Sequence, residues 1–546
     1  MSLMSQGGID VRICRGRLAV GGLVTATVAT ALAAGGAAGG AAAANPGTET
    51  GPSSSQSPYL LRAQPGVVTK SVLTVGDSVN LKPDGTPYRM VGIPDGLGAF
   101  DNGDGTFTVL MNHELSSTAG IVRAHGARGA FVSKWTVRTS DLAVLHGEDL
   151  IKTLHTWNPA LNGGAGDWQV SNTDADPARI NRLCSADLAP VSAYYNAASG
   201  KGYNGRIFTD GEEGGTAGRP FGHVVATGDS YELSPWLGNM SFENVVARPN
   251  SGDATVSMGL DDGDASVDQQ VYLHLGAKTT TGNPVQRAGL ANGTLYGVKV
   301  TGIPQTESAK PDWQVGDTFD FQLADVSQYA GVGGVTANGI IDTLEEDSHA
   351  KGVTAFQRPE DGAWDPSHPN DFYFVTTSSF GPLPAELRTG QTRLWRLRFA
   401  DATDPSRGGK LTLLVSGPVG TPDSPSSTGT QSASAPGPQM LDNITVNTRG
   451  EVLMQEDVGN QAYLGGVWLY DIASGKLTEV AQHDPNRFAP GAAGFLTKDE
   501  ESSGIIPARF LGEGWYLLDV QAHYAITGEL VQGGQLLALH VPPGKS

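Results

Sequence analysis

The chain has 546 residues, a formal net charge of −20 at neutral pH, 74 glycines and 32 prolines. The excess of acidic groups excludes the binding of nucleic acid or of an anionic membrane as its main function, because both ligands repel a negative surface. Abundant glycine and proline with few long apolar runs favour many short strands joined by turns over a helical protein.

The first 44 residues have the composition of a secretory signal peptide. Arg12, Arg15 and Arg17 precede an apolar run that starts at Leu18, and an alanine-rich tract ends at Ala44. This order of basic, apolar and small-residue regions predicts export and cleavage near Ala44. We expect residues 45–57, which are rich in Ser, Gly and Pro, to be disordered. Residues 58–546 are then the single domain of a secreted monomer with no membrane anchor.

A strand, a polar turn and a second strand recur along the chain, each time with an acidic residue near the start. Copies begin at Pro94, Phe242, Phe356 and Leu441, and a looser copy begins at Glu500. Repeated β-hairpins predict an all-β propeller with loop and short helical insertions, because radial blades bury faces that no blade could bury alone.

Radial symmetry would gather these acidic corners around the central channel of the propeller. Carboxylates that converge in a partly dry channel repel one another unless cations neutralise them. The repeat therefore predicts a metal-bearing channel. The alternative is that each Asp or Glu caps a turn in its own blade and never meets the others.

Cys184 adds a different kind of metal donor. Calcium prefers oxygen ligands, whereas a thiolate points to a transition metal such as iron or zinc. The alternative is a small buried hydrophobic residue. Cys14 precedes the apolar run and leaves with the signal peptide, so Cys184 cannot form an internal disulfide.

Two acidic loops could bind calcium. One is Asp101–Gly105, for which a hairpin turn is the simpler interpretation because Asn-Gly and Asp-Gly are favoured there; the other is Asp261–Asp264. The sequence contains no phosphate loop of Walker type, no His-Glu-x-x-His and no Gly-x-Ser-x-Gly, so common nucleotide, zincin and serine-hydrolase functions lack support.

Arg358 precedes Glu360 by two residues, so both side chains point the same way in an extended segment. A guanidinium beside metal-bound carboxylates is suited to bind a phosphate. The alternative is a structural Arg–Glu pair.

Several of these segments resemble the PhoX-type secreted alkaline phosphatases, over about Ser71 to His523. They are Pro94–Gly98, Thr209–Glu213, Arg358–Pro366, Asp442–Ile444 and Val520–His523. The resemblance implies a six-bladed propeller whose channel holds iron and calcium and which hydrolyses phosphate monoesters outside the cytoplasm. It implies that Cys184 binds iron, that Arg358 contacts phosphate, and that the other metal-site residues are Glu213, Glu243, Asp262, Glu360, Asp442 and Glu501.

The chain departs from the family pattern at two places. The loop after Cys184 lacks the family's Gly-Gly and Thr-Pro-Trp, and Phe242 stands where the family has a His before the Glu. The metal set is therefore better supported than the substrate.

We expect a secreted metal-dependent phosphoric-ester hydrolase that acts on small phosphate monoesters or diesters. One alternative is a calcium-dependent lactonase-like hydrolase on the same propeller, in which Cys184→Ala leaves activity intact. The other is a non-catalytic, calcium-stabilised binding propeller with an occluded channel.

Overall fold

The computed structural model describes residues 47–263, 269–310, 312–327, 334–335, 341–342, 344–378, 392–417, 437–460 and 463–544. The predicted signal peptide lies outside these ranges, and its cleavage stays a prediction. Within the described residues, no helix combines the length and the apolar composition needed to cross a membrane.

The described elements are mostly short strands, as the glycine and proline content predicts. In chain order the strands are β1 (Thr48–Thr50), β2 (Leu60–Arg62), β3 (Val68–Thr74), β4 (Ser78–Leu81), β5 (Pro87–Arg89), β6 (Pro94–Asp101), β7 (Thr106–His113), β8 (Phe131–Arg138), β9 (Val144–Asp149), β10 (Thr153–Asn158), β11 (Asp167–Ser171), β12 (Leu183–Asp187), β13 (Tyr195–Asn196), β14 (Lys201–Gly202), β15 (Ile207–Glu212), β16 (Pro220–Val224), β17 (Asp229–Glu232), β18 (Phe242–Ala247), β19 (Ala254–Asp261), β20 (Gln269–Ala277), β21 (Thr294–Val300), β22 (Thr318–Asp325), β23 (Gly334–Val335), β24 (Ile341–Asp342), β25 (Ala355–Phe356), β26 (Pro359–Trp364), β27 (Asp371–Thr376), β28 (Arg393–Phe399), β29 (Gly409–Ser416), β30 (Leu441–Val446), β31 (Glu451–Glu456), β32 (Gly466–Asp471), β33 (Lys476–His483), β34 (Glu500–Pro507), β35 (Trp515–Ala525) and β36 (Gln532–His540). The short helices are α1 (Ser234–Leu237), α2 (Pro284–Arg287), α3 (Leu344–Lys351) and α4 (Pro485–Phe488).

Six inner strands form a closed ring. β6, β12, β18, β26, β30 and β34 contact one another in turn, and β34 also contacts β6. Each inner strand is followed outward by antiparallel partners, as in the sheets β6-β7-β8-β9 and β30-β31-β32-β33. This arrangement confirms the predicted all-β, propeller-like fold. The count of six blades stays a prediction, because the pairing of β22 with β29 joins the β18 and β26 groups in one sheet.

The sheet that contains β34 is built from residues far apart in the chain. β3 pairs antiparallel with β36, which pairs in turn with β35 and β34. β1 pairs parallel with β3, and Gly51 N donates to Ser71 O at 3.0 Å. The interpretation of residues 45–57 as disordered is therefore corrected from residue 47 onward. Backbone hydrogen bonds to β3, and not apolar side chains, hold this polar segment, so its composition did not reveal it.

Apolar side chains fill the space between neighbouring sheets. Tyr373 and Val375 of β27, for example, share one buried cluster with Met454 of β31 and Trp468 of β32. Such packing supplies the stability that allows polar groups to be buried at one end of the inner strands.

Candidate metal centre

One backbone hydrogen bond recurs in all six strand groups. In each, the N–H of a residue just after the second strand, or near its end, donates at 2.8–3.1 Å to a carbonyl at or just before the start of the inner strand. The donor and acceptor residues are Glu114 and Ile93, Glu213 and Arg182, Asp262 and Ser241, Thr377 and Arg358, Asp457 and Met440, and His523 and Asp499.

This hydrogen bond places two side chains from each group at the same end of the ring. The inner set follows the acceptor by two residues and consists of Asp95, Cys184, Glu243, Glu360, Asp442 and Glu501. The outer set consists of the six donor residues. The repeat found in the sequence therefore corresponds to a repeated backbone geometry.

β-bulges direct most of the inner set. The strand register shifts between Pro94 and Leu97, which enclose Asp95. Equivalent shifts enclose Cys184, Glu243, Glu360 and Asp442. A bulge re-aims the side chains at its position, which is why bulges occur beside functional sites. In β34 the shift lies between Ser503 and Ile506, just after Glu501.

Two groups of potential metal-ligand atoms result. Asp95, Glu114 and Cys184 form one group, and Glu243, Glu360 and Asp442 form the other; within each group the ligand atoms lie within 4.8 Å of one another, and all six residues are buried. The alternative in which each acidic residue caps a turn in its own blade is wrong for these residues, because they converge.

Ser185 connects the two groups. Its Oγ lies 2.6 Å from Glu243 Oε1, 2.8 Å from Asn443 Oδ1 and 3.5 Å from Asp95 Oδ1. A hydroxyl carries one proton, so it can donate to only one of these three acceptors. The excess of acceptors at this buried point favours a cation.

The electrostatics of both groups also favour cations. Burial raises the pKa of Asp95, Glu243, Glu360 and Asp442 well above the usual range, and neighbouring carboxylates oppose ionisation of each. Burial, then Asp95, likewise raises the pKa of the Cys184 thiol. Cations bound here would reverse the penalty of holding these groups charged. One group offers a thiol with two carboxyls and the other offers oxygen alone, so the residues fit one softer and one harder metal ion.

Glu501 adjoins the first group through an amide. Gln521 Nε2 lies 2.7 Å from Asp95 Oδ2 and 3.1 Å from both Glu114 Oε2 and Glu501 Oε1. Ser503 also donates to Glu501. The amide thus holds three carboxylates from three strands together.

The predicted ligands Asp262 and Glu213 are each paired with an arginine. Arg358 donates to Asp262 through Nε at 2.8 Å and through Nη2 at 2.6 Å, and Nη2 lies 3.0 Å from Glu360. Arg182 donates to Glu213 through Nε at 3.1 Å and through Nη2, which also contacts Glu114. The predicted Arg358–Glu360 proximity is present, and the metal-binding roles of Asp262 and Glu213 stay predictions.

Four residues of this centre were not assigned to it from the sequence: Asp95, Glu114, Ser185 and Arg182. Asp95 and Glu114 occupy the repeat positions of Glu360 and Asp262, so aligning the repeats would have found them. The Asp101–Gly105 loop is a hairpin turn, as its sequence favours, because Asp101 Oδ1 accepts from Gly103 N at 2.9 Å. Asp264 of the other acidic loop lies outside the described residues.

A closed ring of inner strands with buried carboxylates and one thiol at one end defines a propeller-like protein with a candidate metal centre. A family model described as alkaline phosphatase PhoX matches residues 230–504, half of the 546-residue chain. The chain therefore belongs to the alkaline phosphatase PhoX family. The matched range includes Glu243, Asp262, Arg358, Glu360, Asp442 and Glu501, whereas Cys184 and Glu213 precede it.

Solved structures agree on the fold. Pseudomonas fluorescens PhoX in complex with vanadate, a transition state analogue, is 12% identical, with 87% of this chain and 95% of that chain covered and a TM-score of 0.52. A glycosyl hydrolase from Bacteroides ovatus is 10% identical, with 72% and 87% covered and a TM-score of 0.28. Trypanosoma rangeli sialidase in complex with 2,3-difluorosialic acid is 8% identical, with 87% and 59% covered and a TM-score of 0.32. No curated protein sequence matches the chain.

Proposed function

We propose that this protein is a secreted metal-dependent hydrolase of phosphate monoesters. The observation that carries the proposal is the convergence of two buried ligand groups, joined by Ser185, beside a guanidinium. Family membership supports a phosphatase-type hydrolase, and the two-group geometry supports its dependence on metal ions.

The donor chemistry suggests which ions would bind. Glu243, Glu360 and Asp442 would hold calcium, because all their ligand atoms are oxygen. Cys184 with Asp95 and Glu114 would hold iron, since a thiolate selects a softer ion. When bound, such ions withdraw charge from phosphoryl oxygens and make a water molecule a better nucleophile.

Arg358 would bind and orient the phosphate. Its guanidinium is fixed on one edge by two hydrogen bonds to Asp262, which holds the planar donors in one direction. Planar N–H donors match two oxygens of a phosphate, and their fixed charge stabilises the negative charge that develops there. Asp262 is thus the residue that positions Arg358.

The alternative functions predict different outcomes for one assay. Purified protein is assayed with an aryl phosphate monoester, a diester and a lactone, before and after exhaustive chelation. We expect monoester hydrolysis that falls by at least about 100-fold on chelation and returns when calcium and iron are restored. Full activity after chelation would refute the metal role. Lactone hydrolysis alone would favour the lactonase-like enzyme, and metal-dependent melting without turnover would favour the binding propeller.

A further inference from the structure

Arg182 and Arg358 occupy the same position in two different strand groups. Each supplies the carbonyl that accepts the recurring hydrogen bond, from Glu213 N at 2.8 Å and from Thr377 N at 3.1 Å. Each has a left-handed backbone, with φ of 45° and 56°. Each precedes a member of the inner set by two residues. The fold therefore aims both side chains at the centre by the same local geometry.

The two guanidiniums also make matching contacts. Each pairs with an outer-set carboxylate, Glu213 for Arg182 and Asp262 for Arg358, through Nε and Nη2. Each then reaches a second carboxylate with Nη2, Glu114 in one case and Glu360 in the other. In the other four groups the equivalent residues are Ile93, Ser241, Met440 and Asp499, so this position carries an arginine in two groups only.

Arg182 is the more accessible of the pair. Its side chain is 47% exposed, whereas that of Glu114 beneath it is 6% exposed. The Arg358 side chain is 19% exposed. A guanidinium that lies over a buried carboxylate and is open to solvent is placed where a ligand would enter. A purely structural ion pair needs no such exposure.

We infer that Arg182 is a second phosphate-binding residue, which with Arg358 selects monoesters over diesters; this inference rests on the proposed function. A monoester offers three terminal oxygens and carries about two negative charges at alkaline pH, whereas a diester offers two and carries one. Two planar forks and the metal ions together need more oxygens than a diester supplies. The second arginine therefore benefits the monoester far more than the diester.

The test compares kcat/KM for a monoester and a diester in Arg182→Gln. We expect the monoester value to fall by about 10- to 100-fold, as for a lost charge-assisted contact, and the diester value to change by less than about threefold. Inhibition by inorganic phosphate should weaken by a similar factor. Arg182→Lys keeps the charge without the fork and should recover only part of the preference.

Arg179→Gln is the matched control, because Arg179 lies three residues earlier and pairs with Asp174 at 2.9 Å, outside the centre. Its ester preference should equal that of the unmodified protein. A wild-type ratio in Arg182→Gln would overturn the inference, and so would equal losses on both esters, which would indicate a structural role. Metal content and melting temperature are measured for every variant. If the unmodified protein hydrolyses neither ester, the proposed function itself fails, and that result is distinct.

Discussion

The six inner strands carry opposite chemistry at their two ends. Before the bulges lie the carboxylates and the thiol of the inner set. After them the same strands line a cavity of about 380 Å³. Its wall is largely apolar and includes Leu97, Leu188, Val246, Trp364 and Ile505. One hairpin repeat thus supports both a polar centre and an apolar chamber, and the bulge marks the change between them.

The apolar end also contains acidic residues, and the comparison shows what they lack. Asp187 and Asp361 both line the cavity. Asp187 accepts from Ala247 N at 2.9 Å, and Asp361 accepts from Asn244 Nδ2 at 2.6 Å and from Ile444 N at 3.2 Å. Each is thus satisfied mainly by nearby donors of the protein. Buried carboxylates alone do not make a metal centre; several must converge with too few protein donors.

Neutralising one carboxylate at each end should break the comparison most clearly. Glu360→Gln removes a ligand oxygen charge from the second group and should lower monoester kcat/KM by about 1000-fold, with loss of bound metal. Asp187→Asn, the matched change in the cavity, should retain activity within about twofold. Both are checked by steady-state kinetics and elemental analysis. Equal effects at both ends would contradict the division of roles.

Cys184→Ala should sharpen the distinction between the two ligand groups. The thiol belongs to only one of them, so we expect loss of iron with retention of calcium and a fall in activity of about 100-fold. Elemental analysis and monoester assays measure the two effects separately. Unchanged activity would instead support the lactonase-like alternative, which makes no use of the thiol. Cys184→Ser, which keeps the volume, controls for packing.

The smallest expected effect concerns pH and the apolar end. Burial raises the pKa of Asp187 to about 7. The folded protein therefore binds this proton more tightly than the unfolded chain, and the stability it confers is lost as the pH rises from about 4 to about 7. Asp187→Asn has no such loss, so it should raise the free energy of unfolding by about 2 kcal/mol at pH 8 relative to the unmodified protein. Urea denaturation at pH 5 and pH 8 checks this, and parallel pH profiles would contradict it.

The sequence predicted the fold and much of the inner set for a clear physical reason. Strand, turn and strand with a fixed acidic position is a local pattern, and radial repetition converts it into convergence. Glu243, Glu360 and Asp442 were found in this way. The group of Cys184 escaped the pattern because 28 residues separate Cys184 from Glu213, against 18 between Glu243 and Asp262. Without that register, the equivalence of Arg182 to Arg358 could not be recognised.

The pairing of β3 with β36 has a consequence for when the centre can form. Asp95 and Glu501 are separated by most of the polypeptide, yet Gln521 Nε2 links them at 2.7 and 3.1 Å. Their encounter requires the sheet that β3 and β36 complete together. A nascent chain that has not yet produced β36 therefore has an open circle with a gap between its first and last donors. Loading of ions must wait until that circle shuts.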